Sequence, residues 1–237
     1  MKKLALISLC IACLSFSFSA YAQETPDNLP LPHISHYVKI ETDKGNFVIA
    51  LYDETPLHRD NFLAHVEHHD YEGVLFHRVI DRFMVQTGNL QTRAKNVTDA
   101  SVDTTTSTIK AEFLPEMLIH KRGAVAAART PDEVNPMKES SASQFYIVTG
   151  NYFTDWDLAD IEKNLGKNIS EAKKQVYKKV GGAPHLDGDY TVFGEVVEGM
   201  DTITKIERVK TDDVNRPVRD IRIRKVYSIT PQQLHKK

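Results

Sequence analysis

The strongest constraint in this sequence is a two-residue alternation of apolar side chains, carried in short runs that turn residues interrupt. Val38-Ile40-Thr42 alternates, Asp43-Lys44-Gly45-Asn46 is turn chemistry, and Phe47-Ile49-Leu51 alternates again, which predicts a β-hairpin. Further strands are predicted over 75–79, 83–86, 123–128, 144–148, 191–197 and 221–228. Thr55-Pro56 places an N-cap residue before a proline at the first helical position. The helix it opens has Phe62, Leu63 and Val66 on its apolar face, and Gly73 ends the unit. A second helix fits 200–207, after Gly199. Many short strands and few helices predict a mainly β sandwich or barrel with helical caps.

Between residues 151 and 183 the composition shifts to Asp, Glu, Lys and Asn. Ile161 and Leu165 have helical spacing there, as do Ile169, Ala172, Val176 and Val180. Asn168 with Glu171 has the form of a capping box, which predicts a short helix starting at that point. The stretch reads as a helical insertion within one domain.

The N-terminus reads as a targeting segment. Met1-Lys2-Lys3 is basic, residues 4–18 are mostly apolar, and Ala20-Tyr21-Ala22 is an A-x-A cleavage site. A signal peptide over 1–22, an extended Pro-containing tether over 23–36, a domain over 37–229 and a tail over 230–237 are therefore expected. The apolar run is too short for a comfortable membrane span. Both cysteines, Cys10 and Cys13, fall within the signal, so a mature chain from Gln23 has none. An exported location, periplasmic or secreted, follows; the alternative is a lipoprotein anchored through Cys13, with the small Ala12 before it. Loss of Lys2 and Lys3 with no acidic residue takes the formal charge from −2 to −4. Neither value gives an electrostatic reason to expect nucleic acid or an anionic membrane as a partner. With 41% hydrophobic and 26% charged residues the chain is ordinary globular material, long enough to fold without metal or disulfide.

Three strings carry the chemistry. The first is Phe76-His77-Arg78-Val79-Ile80-Asp81-Arg82-Phe83-Met84-Val85-Gln86, in which Met84 and Gln86 share a strand face. The second is Ser143-Gln144-Phe145-Tyr146, and the third is His185-Leu186-Asp187-Gly188 leading into Val192-Phe193-Gly194. Taken alone, an arginine near Phe-Met is a surface charge whose stem lies over a core strand. Taken together, in order and spacing, the three strings make the chain resemble a cyclophilin over about 37–228, apart from the insertion and the segment between Leu90 and Lys121.

That resemblance implies an eight-stranded antiparallel β-barrel capped by two helices, with the substrate groove on its outside. It implies a peptidyl-prolyl cis/trans isomerase acting on proline-containing polypeptides, or else a scaffold of the same fold that binds proline segments or chaperones with little turnover. By position, the catalytic arginine is Arg78. The proline pocket is Phe83, Met84, Tyr146 and Leu186, with Gln86 and Gln144 on the substrate backbone. The family's Ala-Asn aligns with Ala128 and Arg129, its tryptophan before L-D-G with His185, and a later histidine with Tyr190. Three departures matter. Tyr146 for phenylalanine adds a hydroxyl needing a partner, Arg129 for asparagine brings a second cation near the groove, and His185 for tryptophan removes a contact for cyclosporin, whose binding is expected to be weak.

No cofactor and no metal are expected, because rotation about a bond needs neither. His77 reads as a hydrogen-bonded core histidine. His65 and His69, four apart, would share a helix face but lack a third ligand, so a solvated face is expected. The sequons at Asn96 and Asn168 are discounted as chance tripeptides.

Overall fold

The computed structural model describes residues 29–94 and 107–234. The expected signal peptide with both cysteines, the first part of the tether and the Asn96 sequon lie outside these residues. The strands are β1 (Ile34–Thr42), β2 (Gly45–Tyr52), β3 (Arg78–Ile80), β4 (Met84–Thr87), β5 (Thr108–Ile109), β6 (Ala124–Ala127), β7 (Ser140–Ser141), β8 (Phe145–Val148), β9 (Val192–Glu198) and β10 (Ile223–Ile229). The helices are α1 (Pro56–Glu67), α2 (Asp155–Leu165), α3 (Glu171–Val180) and α4 (Met200–Glu207). Among the described residues no helix is long and apolar enough to cross a membrane.

The alternation in β1 and β2 points Val38, Ile40, Phe47, Ile49 and Leu51 to one side, where none is more than 1% exposed. Pairing starts at Ile34, inside the expected tether, because Ile34 and His36 continue opposite Tyr52 and Leu51 across a local irregularity. Eight strands form one antiparallel sheet in the order β10-β1-β2-β9-β6-β8-β4-β3. The sheet curls, and backbone bonds from Gly73 to Ile223, Phe76 to Ile221 and Ile223 to Val74 (2.8–2.9 Å) tie its edges. β5 and β7 pair separately beside it.

The inside of the curl is the core. Val79, Val85, Val125, Phe145, Ile147, Phe193 and Val226 meet Phe62 and Val66 of α1 and Ile203 and Ile206 of α4. These two helices are the expected caps. Each such side chain, fully buried, contributes about 1.5–3 kcal/mol of transfer free energy.

Thr55 and Pro56 start α1 as predicted, but the Thr55 side chain does not cap it. Glu112 does, its carboxylate accepting the Leu57 and His58 N–H groups at 3.1 and 3.0 Å and bonding His58 Nδ1 at 2.7 Å. A carboxylate at a helix N-terminus answers both the orphan donors and the dipole. His65 is held by Asp70 and the Ala142 carbonyl. His69 lies beyond the end of α1 with a left-handed φ of 56°, so the two histidines do not share a helix face.

The insertion contains α2 and α3. The Asn168–Glu171 capping box does not form; Ser170 stands at the N-cap of α3, and the Glu162 carboxylate receives the Ile169 N–H instead. A capping box does open α2, between Thr154 and Asp157. The two ends of the insertion are bonded to each other, Asn151 N–H to Gly182 O at 3.1 Å and Gly182 N–H to Asn151 O at 2.8 Å. Gly182 is required here, since a Cβ would lie 2.2 Å from the His120 carbonyl oxygen. Ile119, Leu158, Ile169 and Tyr177 form the insertion's own buried cluster against the barrel.

Candidate functional site

On the outer face of the sheet, the register aligns Arg78 with Gln86, Gln86 with Tyr146, and Tyr146 with Ala126 across β3, β4, β8 and β6. Directly paired residues point to the same face of a sheet, so this row is fixed by pairing rather than by loop conformation. Arg78 is exposed, and its guanidinium donates to Gln86 Oε1 at 3.3 Å. Gln86 Nε2 donates in turn to Gln144 Oε1 at 2.8 Å. A cation and two amides thus form a polar line along one rim of a cavity.

The cavity measures about 330 Å³ and is lined by Arg78, Phe83, Met84, Gln86, Ala128, Arg129, Tyr146, Leu186 and Tyr190. These residues come from β3, β4 and the turn before it, β8, the segment after β6 and the loop before β9; Arg78, Phe83, Met84, Gln86, Tyr146 and Leu186 lie in the three strings, and Ala128, Arg129 and Tyr190 were expected only from the resemblance. Gln144 stands behind Gln86. His185 is exposed and stacks on Phe83, ring centroids 5.5 Å apart and planes at 28°. Partial desolvation of the His185 ring lowers its pKa.

The floor is apolar because the Tyr146 hydroxyl is turned away into the protein. Tyr146 Oη lies 3.1 Å from His120 Nε2, and His120 Nδ1 lies 2.9 Å from Asp187 Oδ1. Asp187 Oδ1 also accepts the His120 backbone N–H; because a carboxylate only accepts, the ring nitrogen facing it, Nδ1, is the donor, and Nε2 is left to accept from Tyr146. Burial, then the neighbouring Tyr190 and Asp187, pushes the Tyr146 phenol well above its ordinary range, so it remains a donor. His120 is completely buried and was not singled out in the sequence. It lies outside all three strings, so no local pattern marks it.

Arg129 does not add a free cation to the groove. Its guanidinium packs 4.4 Å above the Tyr190 ring, donates to the carbonyls of Asp189 and Thr130, and pairs with Asp132 at 2.5 Å. Next to it, Asp189 is paired with Lys138 and, at 3.0 Å, with Lys167. Burial opposes ionisation of Asp189, but these two lysines hold its carboxyl below the usual range. Arg78 is therefore the exposed cation of the cavity, with one side-chain hydrogen bond, to Gln86. Among the described residues no group of three or more His, Cys, Asp or Glu side chains is placed to hold a metal ion.

Comparison with known proteins gives one consistent result. Residues 37–228 match the family described as cyclophilin type peptidyl-prolyl cis-trans isomerase/CLD. A peptidyl-prolyl cis-trans isomerase of Acinetobacter baylyi is 34% identical over 176 residues, 73% of this chain and 73% of that protein. A putative peptidyl-prolyl cis-trans isomerase of Staphylococcus saprophyticus is 32% identical over 185 residues, 78% of this chain and 87% of its own. The crystal structure of a cyclophilin type peptidyl-prolyl cis-trans isomerase from Cryptosporidium parvum superposes with a TM-score of 0.60 at 21% identity, covering 83% of this chain and 98% of the other.

Proposed function

The chain belongs to the cyclophilin-type peptidyl-prolyl isomerase family, and from that membership we propose that it accelerates rotation about X-Pro bonds in exported polypeptides as they fold. The observation that carries the reading is the row of Arg78, Gln86 and Tyr146 across three paired strands, with the cavity beside it.

Rotation about an X-Pro amide must break C–N resonance, a barrier of ~18–20 kcal/mol. No covalent bond forms or breaks, so the reaction calls for a surface that favours the twisted state over both planar ones. As the bond twists, the proline nitrogen becomes pyramidal and gains a localised lone pair. Arg78, permanently charged and committed through one donor only, is the group to hydrogen-bond that nitrogen. Phe83, Met84, Tyr146 and Leu186 take the apolar ring, and the Gln86–Gln144 pair is on hand for the substrate backbone. Turning the Tyr146 hydroxyl inward leaves the face of its ring to the proline. Several kcal/mol of differential stabilisation are within reach of one positioned charge.

A protease-coupled assay with a proline-containing peptide tests this; a rate equal to the uncatalysed one rules it out. Export rests on the signal pattern, and intact mass decides it. A mass beginning at Gln23 supports a free exported protein, whereas a lipidated Cys13 assigns an anchored one.

A second reading, a proline-segment binder or chaperone with little turnover, draws on the insertion, where Tyr152 and Trp156 are 68% and 85% exposed. Suppression of client aggregation that persists in Arg78→Ala after turnover is lost separates it from the first.

A further inference from the structure

Leu186 and Tyr190 form one wall of the cavity, and they lie on a loop with no strand partner between the short helical turn at Pro184–Leu186 and β9. The loop's own backbone bonds are local turns, Leu186 to Ala183, Asp187 to Pro184 and Asp189 to Leu186. Arg129 holds it on one side, through the Asp189 carbonyl and the Tyr190 ring, and its two carboxylates supply further polar ties to the rest of the molecule. Asp187 Oδ1 takes the His120 backbone and ring N–H groups, and Asp187 Oδ2 takes the Tyr177 hydroxyl at 2.6 Å. Asp189 takes Lys138 and Lys167. Tyr177 is on α3 and Lys167 joins α2 to α3, so each carboxylate receives one tether from the insertion.

We propose that the insertion is a brace for the proline pocket, with Tyr177 as a positioning residue that acts through Asp187 and with Lys167 as a second, weaker tether through Asp189. The proposal deepens the isomerase reading by giving the insertion a task at the same site. None of the cavity-lining residues comes from the insertion, so it shapes the site without touching substrate. Tyr177 suits a rigid link. It is completely buried, packs edge-on against Phe153 and sits among Ile119, Leu158 and Ile169. Gly182 lets the chain pass where a Cβ would come within 2.8 Å of the Tyr177 ring. Burial, then the Asp187 charge, keeps its phenol protonated and donating. Asp187 is thus the hub at which the brace joins the chain of bonds ending on the Tyr146 hydroxyl.

Tyr177→Phe removes the hydroxyl and keeps the packing. Amide hydrogen exchange on the whole chain is expected to quicken by about tenfold at Leu186, Asp187 and Asp189, the loss expected for a hydrogen bond to a carboxylate. The β8 amides are expected to keep their protection. In the peptide assay KM is expected to rise by about three- to tenfold with kcat within about twofold, because pocket binding is weakened equally for ground and transition states. Lys167→Ala, at an exposed position, is expected to move both readouts the same way by a smaller factor, and it stands in should Tyr177→Phe fail to fold. Unchanged exchange in the loop, exchange that quickens uniformly through β8, or a loosened loop with unaltered KM overturns the brace. A parent chain without turnover overturns the isomerase reading, and the exchange measurement then decides the brace by itself.

Discussion

Replacing Arg78 by alanine is the sharpest perturbation this site allows. The side chain is exposed, no carboxylate among the described residues pairs with it, and its one hydrogen bond, to Gln86, is long at 3.3 Å. After the change Gln86 Nε2 keeps its 2.8 Å bond to Gln144, and Gln86 Oε1, on a half-buried side chain at the rim, takes water in place of Arg78. Loss of such a surface side chain falls within about 0.5 kcal/mol of folding stability. Catalysis is another matter. A donor aimed at charge that develops only in the transition state contributes about 2.7–4 kcal/mol. The lower figure converts to about a hundredfold in kcat/KM. Arg78→Ala is therefore expected to lose at least about a hundredfold in the protease-coupled assay while its urea midpoint stays near that of the parent. Arg78→Lys keeps the charge but not the planar fork, and should fall between the two. An alanine variant within about threefold of the parent in kcat/KM would falsify the assignment of the guanidinium to the twisting nitrogen.

Other outcomes follow from the surroundings of the site. Tyr146→Phe keeps the ring on the pocket floor but leaves the buried His120 Nε2 without its donor, so about 1–3 kcal/mol of stability should be lost in denaturant titration. Burial lowers the His58 pKa from 6.5 despite the neighbouring Glu112. The unfolded chain then binds this proton first as pH falls. The stability tied to neutral His58 is present above about pH 6.5 and lost progressively below it. Thermal midpoints should fall from pH 7 towards 5, and a profile that is flat or rises over that interval contradicts the reasoning. Glu112→Ala uncaps α1 and strands His58 Nδ1, with an expected loss of about 1–3 kcal/mol in the same denaturant titration. Cyclosporin should inhibit weakly, since the Phe83-stacked His185 stands where the family has a tryptophan; a nanomolar-class inhibition constant rules this out.

Local pattern in the chain does not mark the short β5 and β7, but it does mark the strands of the eight-stranded sheet, the two capping helices and the row of Arg78, Gln86 and Tyr146. Each of these is written in residues close along the chain: alternation marks a face, Thr55-Pro56 a helix start, and three short strings the row that β3, β4 and β8 assemble. Tertiary structure decided what the polar groups do once they meet. Glu112 caps α1 from outside the helix, Arg129 is absorbed by Tyr190 and Asp132, and the Tyr146 hydroxyl finds its acceptor in His120. The last of these spans 26 residues, and the bond from His120 to Asp187 spans 67. Periodicity reports only which side of a strand or helix a residue faces. Which buried donor meets which buried acceptor depends on how distant segments pack, and burial is what makes that pairing obligatory.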